Sequence, residues 1–114
     1  MESLGWHPYE GGDTIAETGS ENGIILRDEE YSASVRITLE RDGDTPFAIT
    51  CGIYDWMVHT RFFATAEEAN ETFDAMKAEL ARIVDLIPSR DDPQANERSA
   101  VAAEEMHAFS EEFP

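Results

Sequence analysis

This chain has little cysteine and few basic residues, with one cysteine and eight Lys or Arg in 114 residues, and each scarcity excludes something. A lone Cys51 cannot close an internal disulfide, and its place in an alternating apolar segment makes it a structural thiol rather than a reactive one. Twenty-five acids against eight bases give a formal charge of -17, a field that repels phosphate backbones and disfavours nucleic acid as a partner. Met1-Glu2-Ser3 opens no basic, apolar leader and no run reaches membrane-spanning length, which points to a cytoplasmic protein with no membrane partner. His7, His59 and His107 have no second histidine or cysteine at ligand spacing, so no metal site is expected. Gly11-Gly12 and Gly19-Ser20 lack the strand, spacing and lysine of a phosphate loop. The pairs Glu67-Glu68, Glu104-Glu105 and Glu111-Glu112 read as solvated helix faces, since adjacent helical residues diverge. Neither a catalytic residue nor a cofactor is expected.

What is present is a single change of hydrophobic period. Tyr31, Ala33, Val35, Ile37 and Leu39 alternate with polar residues, the pattern of a strand with one buried face. Asp42-Gly43-Asp44 supplies a turn, after which Phe47, Ile49, Cys51 and Ile53 resume the alternation. A hairpin centred on Gly43 pairs Leu39 with Phe47, Ile37 with Ile49, Val35 with Cys51 and Ala33 with Ile53. A turn at Asp55-Trp56 then places Val58, Thr60 and Phe62 on the same buried face. Before Tyr31, residues 22–27 form a strand that turns at Asp28 and Glu29, pairing Leu26 with Tyr31; residues 13–18 offer a fifth strand around Ile15.

Thr65-Ala66-Glu67-Glu68 matches a capping box, and from it Ala69, Phe73, Met76, Leu80, Ile83 and Ile87 draw one helical stripe that Pro88 stops. A stripe so spaced also suits a coiled-coil seam, but the adjacent sheet needs a cover. Asp92 and Pro93 suit the start of a second helix over residues 93–113, with a thinner stripe of Ala95, Ala102, Met106, Phe109 and Phe113. Residues 1–12, with Leu4, Trp6 and Tyr9, read as an extended arm. The expected fold is α+β: an antiparallel meander of four or five strands on one long helix. Residues 1–88 form the sheet-plus-helix domain with its N-terminal arm. Residues 89–114 add the linker and C-terminal helix, in the same domain or swapped in a dimer.

With this register the face turned from the long helix presents Arg27, Ser32, Ser34, Arg36, Thr50, Tyr54, Met57, His59, Arg61 and Phe63. Of these, Arg27, Arg36, Thr50, Tyr54, His59, Arg61 and Phe63 are the candidate ligand or interface face. Arg36 and Arg61 would flank Thr50 on neighbouring strands, a row able to hold a carboxylate or phosphate by forked hydrogen bonds. Cys51 would face the core and His59 away from it, so the two would not meet. The acidic C-terminal helix, from this chain or a partner, suits the role of covering that face.

Sheet-then-helix order is similar to that of the repeats of PUR-type and Whirly-type single-strand binders. That resemblance implies bases stacked on sheet aromatics in a cationic groove, whereas here acids outnumber bases about threefold. The reading that emerges is a non-enzymatic cytoplasmic interaction module that homodimerises. The alternatives are an acidic inhibitor or nucleic-acid mimic that engages a basic protein, and a small anionic-ligand module using the open sheet face.

Overall fold

A computed structural model describes residues 5–89 and 91–114. Leu4 of the N-terminal arm and Arg90 of the linker lie outside them. Five strands, β1 (Trp6–Pro8), β2 (Ile24–Tyr31), β3 (Val35–Arg41), β4 (Phe47–Ile53) and β5 (Met57–Phe63), precede two helices, α1 (Ala66–Val84) and α2 (Ala95–Glu112). The strands form one antiparallel meander in the order β1-β2-β3-β4-β5. No described helix is long and apolar enough to cross a membrane. The α+β fold therefore follows the periodicity, while three details of register differ from it.

The β3–β4 hairpin pairs Val35 with Ile53, Ile37 with Cys51 and Leu39 with Ile49, two residues from the expected register. Asp42 donates its amide to the Pro46 carbonyl and takes a left-handed φ of 56°, so the loop centres past Gly43. A slip of two preserves which face each side chain occupies. A slip of one does not, and that is what separates β5 from its expected place. Tyr54, Asp55 and Trp56 make a three-residue loop, with Asp55 left-handed at φ 69°, and Ile53 pairs with Met57 rather than Val58. Every β5 side chain consequently exchanges faces.

The third difference is the β2–β3 turn, which sits at Ser32 and Ala33 (φ 51° and 53°), closed by the Ser34 amide on the Tyr31 carbonyl. Two successive left-handed residues match the twist of a tight hairpin, a conformation that Asn-Gly or Asp-Gly normally signals. Ser-Ala carries no such signal. Asp28, Glu29 and Glu30 are therefore strand residues rather than turn residues. The fifth strand is Trp6–Pro8, and the segment around Ile15 contributes only an isolated bridge between Thr18 and Ile24.

Thr65 caps α1, its hydroxyl accepting the Glu68 amide at 3.3 Å, which is the threonine half of the capping box. Ala69, Phe73, Met76, Leu80 and Ile83 are wholly buried against Val35, Ile37, Leu39, Ile49, Cys51 and Ile53. Over β2 the same layer is ionic: buried Lys77 pairs with Glu29, and the Arg27 guanidinium lies 4.0 Å from the Phe73 ring centre. Helix α2 packs beside α1 on this same side, through Ala102, Met106, Phe109 and Phe113, and Arg82 ties it to Glu105 at 2.9 Å. It does not cover the open face. The arm does part of that work: Trp6 is buried against Tyr31 on the helix side, and the chain then crosses to set Tyr9 over Arg36 on the other.

Candidate functional site: the cleft and free strand on the open face

Residues 13–23 arch over β3 and β4 and leave a cleft of about 390 Å³ against the open face, floored by Thr38, Thr50 and Gly52 and walled by Thr14, Thr18 and Ser20. Backbone hydrogen bonds to Ile25 and Asp44 and two buried acids hold the arch down. Asp28, 1% exposed, accepts the Thr14 hydroxyl at 2.7 Å and a forked pair from Arg36, Nε to Oδ1 at 2.9 Å and Nη2 to Oδ2 at 2.6 Å. Glu40, also 1% exposed, receives the amides of Glu21 (3.0 Å) and Gly23 (2.8 Å) on Oε1, while Oε2 lies against Gly19 with no hydrogen-bond partner. A side chain at position 19 would meet that carboxylate and push it aside, so glycine there lets Glu40 keep its place.

This arrangement answers the expectation of an anion site. The fork of Arg36 is already filled by the chain's own Asp28, whose hydrogen bond is the main reason the guanidinium holds its proton more tightly than usual. Tyr9 stacks on the same guanidinium at 3.8 Å. Tyr54, with its hydroxyl 3.4 Å from Glu30, is pushed up from the ordinary tyrosine range chiefly by burial and then by the Glu30 charge. The cleft thus offers hydroxyls and short apolar surface, with its one cation matched by Asp28 and Glu17 as an exposed acid on its wall.

The seven candidate residues divide between the faces. Arg36, Thr50 and Tyr54 line the cleft. Arg27, His59, Arg61 and Phe63 lie on the helix side. Arg27 reaches Asp74 at 2.9 Å and Asn70 at 3.2 Å. His59 donates from Nε2 to the Phe113 carbonyl and meets the Phe109 ring edge-on. Phe63 is 4% exposed in the core, with the Arg61 guanidinium 5.0 Å from its ring. Thr50 is flanked by Thr38 and Thr60, not by Arg36 and Arg61. Met57 also moves to the helix side, and Ser32 and Ser34 belong to the turn.

Cys51 and His59 are directly opposite across β4 and β5, contrary to the expected separation. Burial nevertheless pushes the Cys51 thiol up to about 12, and the His59 ring is engaged by Phe113, so the pair is not a nucleophile and its base. Among the described residues no three His, Cys, Asp or Glu side chains gather as a metal site.

In place of the lost residues, the open side of β5 presents Val58, Thr60 and Phe62, with Val58 80% and Phe62 51% exposed. Their exposure could not be read from alternation alone, because it depends on whether the preceding loop holds two residues or three. Asp28 and Glu40 were equally hidden as acids in a surface-like pattern. One signal did exist: Asp28 and Arg36 are opposite charges either side of the Ser32-Ala33 turn. Compared with protein-family models, curated proteins and solved structures, the chain has no significant match.

Proposed function

We propose that the chain is a small cytoplasmic interaction module, without catalysis of its own, that works as a homodimer. The observation carrying this reading is on β5: two large apolar side chains, Val58 and Phe62, stand exposed in one row of an edge strand. Single surface hydrophobes are ordinary, but a row on an unpaired edge is a template for association. The cleft supports binding over turnover, since its one cation is neutralised within the fold and the neighbouring thiol is held protonated. A single buried thiol with no partner sulfur suits a reducing compartment. Light scattering on the purified chain tests the reading: the expected mass is near twice 12.8 kDa, and 12.8 kDa at every concentration contradicts it.

A second reading, the acidic decoy for a basic protein, is favoured by one feature. Glu67, Glu68, Glu71 and Asp74 on α1 and Glu97, Glu104, Glu111 and Glu112 on α2 all face solvent. Binding of that kind weakens steeply between low and high salt, because exposed charges are screened within about 10 Å at 0.1 M. Capture that is indifferent to salt counts against it.

A further inference from the structure

We infer that the second copy docks on the outer edge of β5. The two Met57–Phe63 strands pair antiparallel about a twofold axis at Thr60, and the two sheets become one. This rests on the homodimer reading and adds where the copies meet and in what register.

The two edges of the sheet are unequal. Strand β1 has three residues, includes Pro8 with no amide hydrogen, and runs into Tyr9-Glu10. That edge is blunted. Strand β5 has seven residues and no proline, and among the described residues no backbone hydrogen bond reaches it from outside the β4 ladder. Its outward amides and carbonyls are therefore open to another strand.

Charge selects this edge for a second copy in particular. Two chains of charge -17 repel wherever carboxylate meets carboxylate, yet from Thr45 to Ala66 the sole acid is Asp55. Strand β5 itself carries none. It is where two such polyanions can approach without opposing acids.

The register follows from the side chains. Opposed residues of an antiparallel pair share a face, so the axis passes through a residue pair. At Thr60 it sets Val58 against Phe62 twice over on the open side, and Met57 against Phe63 and His59 against Arg61 on the helix side. An axis at Arg61 would oppose two guanidinium groups; an axis at His59 would pair Val58 with Thr60 and leave Phe62 facing the turn.

Arg61 supplies the independent observation. Among the described residues it is the one Lys or Arg with no carboxylate within 4.0 Å. In the Thr60 register it falls opposite His59 of the second copy, and His59 touches the Phe113 carbonyl at the end of α2. That helix end carries Glu111 and Glu112, has no basic residue in its last turn, and meets only histidines, His59 at the Phe113 carbonyl and His107 at 3.0 Å from Glu111, so no Lys or Arg faces its negative pole. Each copy provides the cation that the other copy's helix end lacks.

Cross-linking and charge exchange test this on the full chain. Directly opposed Thr60 residues have Cα atoms about 4.5–5.5 Å apart, within disulfide reach, whereas two Val58 residues are four positions apart, about 14 Å. T60C is expected to form a disulfide-linked dimer under mild oxidation, with V58C and the wild type, whose Cys51 is buried, remaining unlinked. V58E is expected to raise the dimer dissociation constant by about tenfold or more, and the V58E/F62K double variant, which opposes unlike charges in this register, to restore it. Melting curves confirm that each variant is folded. A wild type that is monomeric at all concentrations overturns both the dimer and this seam. A dimeric wild type in which T60C does not link and V58E dissociates nothing overturns the seam alone, and V58C linking as readily as T60C overturns the register.

Discussion

The two faces of this sheet use the same strands and are secured by opposite means. On the helix side, the odd-numbered side chains of β3 and β4 meet α1 in a layer where Phe73, Met76, Leu80 and Ile83 are wholly buried. Desolvation holds that side, and burial of each large side chain contributes roughly 1.5–3 kcal/mol before entropy is counted. On the open side a loop is held by two buried carboxylates, Asp28 and Glu40, and β5 is left uncovered. The contrast teaches that the second face is covered only in part, at buried Ile25 and Ala48 and at a few polar points, and that Val58 and Phe62 are left exposed beside them.

The contrast is broken most severely from the closed side. Phe73→Ala empties the centre of the core and should lower stability by about 3–5 kcal/mol, read from a denaturant midpoint. On the open side, Asp28→Ala strands Arg36 and leaves the Thr14 hydroxyl without its acceptor. Breaking a buried pair costs about 3–5 kcal/mol, but Arg36 is 34% exposed and regains hydration, so about 2–3 kcal/mol is expected. Glu40→Ala removes the acceptor for two loop amides and should cost about 1 kcal/mol, with the first proteolytic cut falling within residues 13–23. Cleavage elsewhere would mean that losing the Glu40 carboxylate does not loosen residues 13–23.

Proton linkage gives a finer comparison. The Cys51 thiol is raised from 9.0 to about 12 by burial, and Tyr31 is raised chiefly by its hydrogen bond to Asp85. A group that binds its proton more tightly when folded stabilises fully below its unfolded pKa and loses that contribution as pH rises toward the folded one. The contribution of these two groups should therefore be constant below about pH 9 and fall toward pH 12. Cys51→Ala should flatten part of this alkaline fall, measured as denaturant midpoint against pH. The smallest effect belongs to the uncovered strand: V58E should change the stability of the monomer by less than about 0.5 kcal/mol while weakening association.

Much of this architecture was legible because alternation and helical spacing are direct consequences of burial on one face. The stripe from Ala69 to Ile83, the Thr65 cap, and the inward set Val35, Ile37, Leu39, Ile49, Cys51 and Ile53 could be read without coordinates. Turn chemistry was the weak link. Ser32-Ala33 adopts two left-handed residues with no glycine or asparagine, and Tyr31 and Ala33 happen to continue the alternation of β3, so the turn passed for strand. One extra residue in the Tyr54–Trp56 loop then turned His59, Arg61 and Phe63 inward and Val58 and Phe62 outward. The cleft was illegible for another reason: Asp28 and Glu40 look like surface acids until their partners, up to 19 residues away in sequence, are brought to them by the fold.

The most direct measurement is amide hydrogen exchange along β5 as a function of protein concentration. If two copies pair through this strand, the amides of Met57–Phe63 that point away from β4 exchange slowly at high concentration and lose that protection on dilution, while β3 and β4 stay protected throughout. Rapid exchange of those outward amides at concentrations where the mass is twice that of the chain would contradict the account.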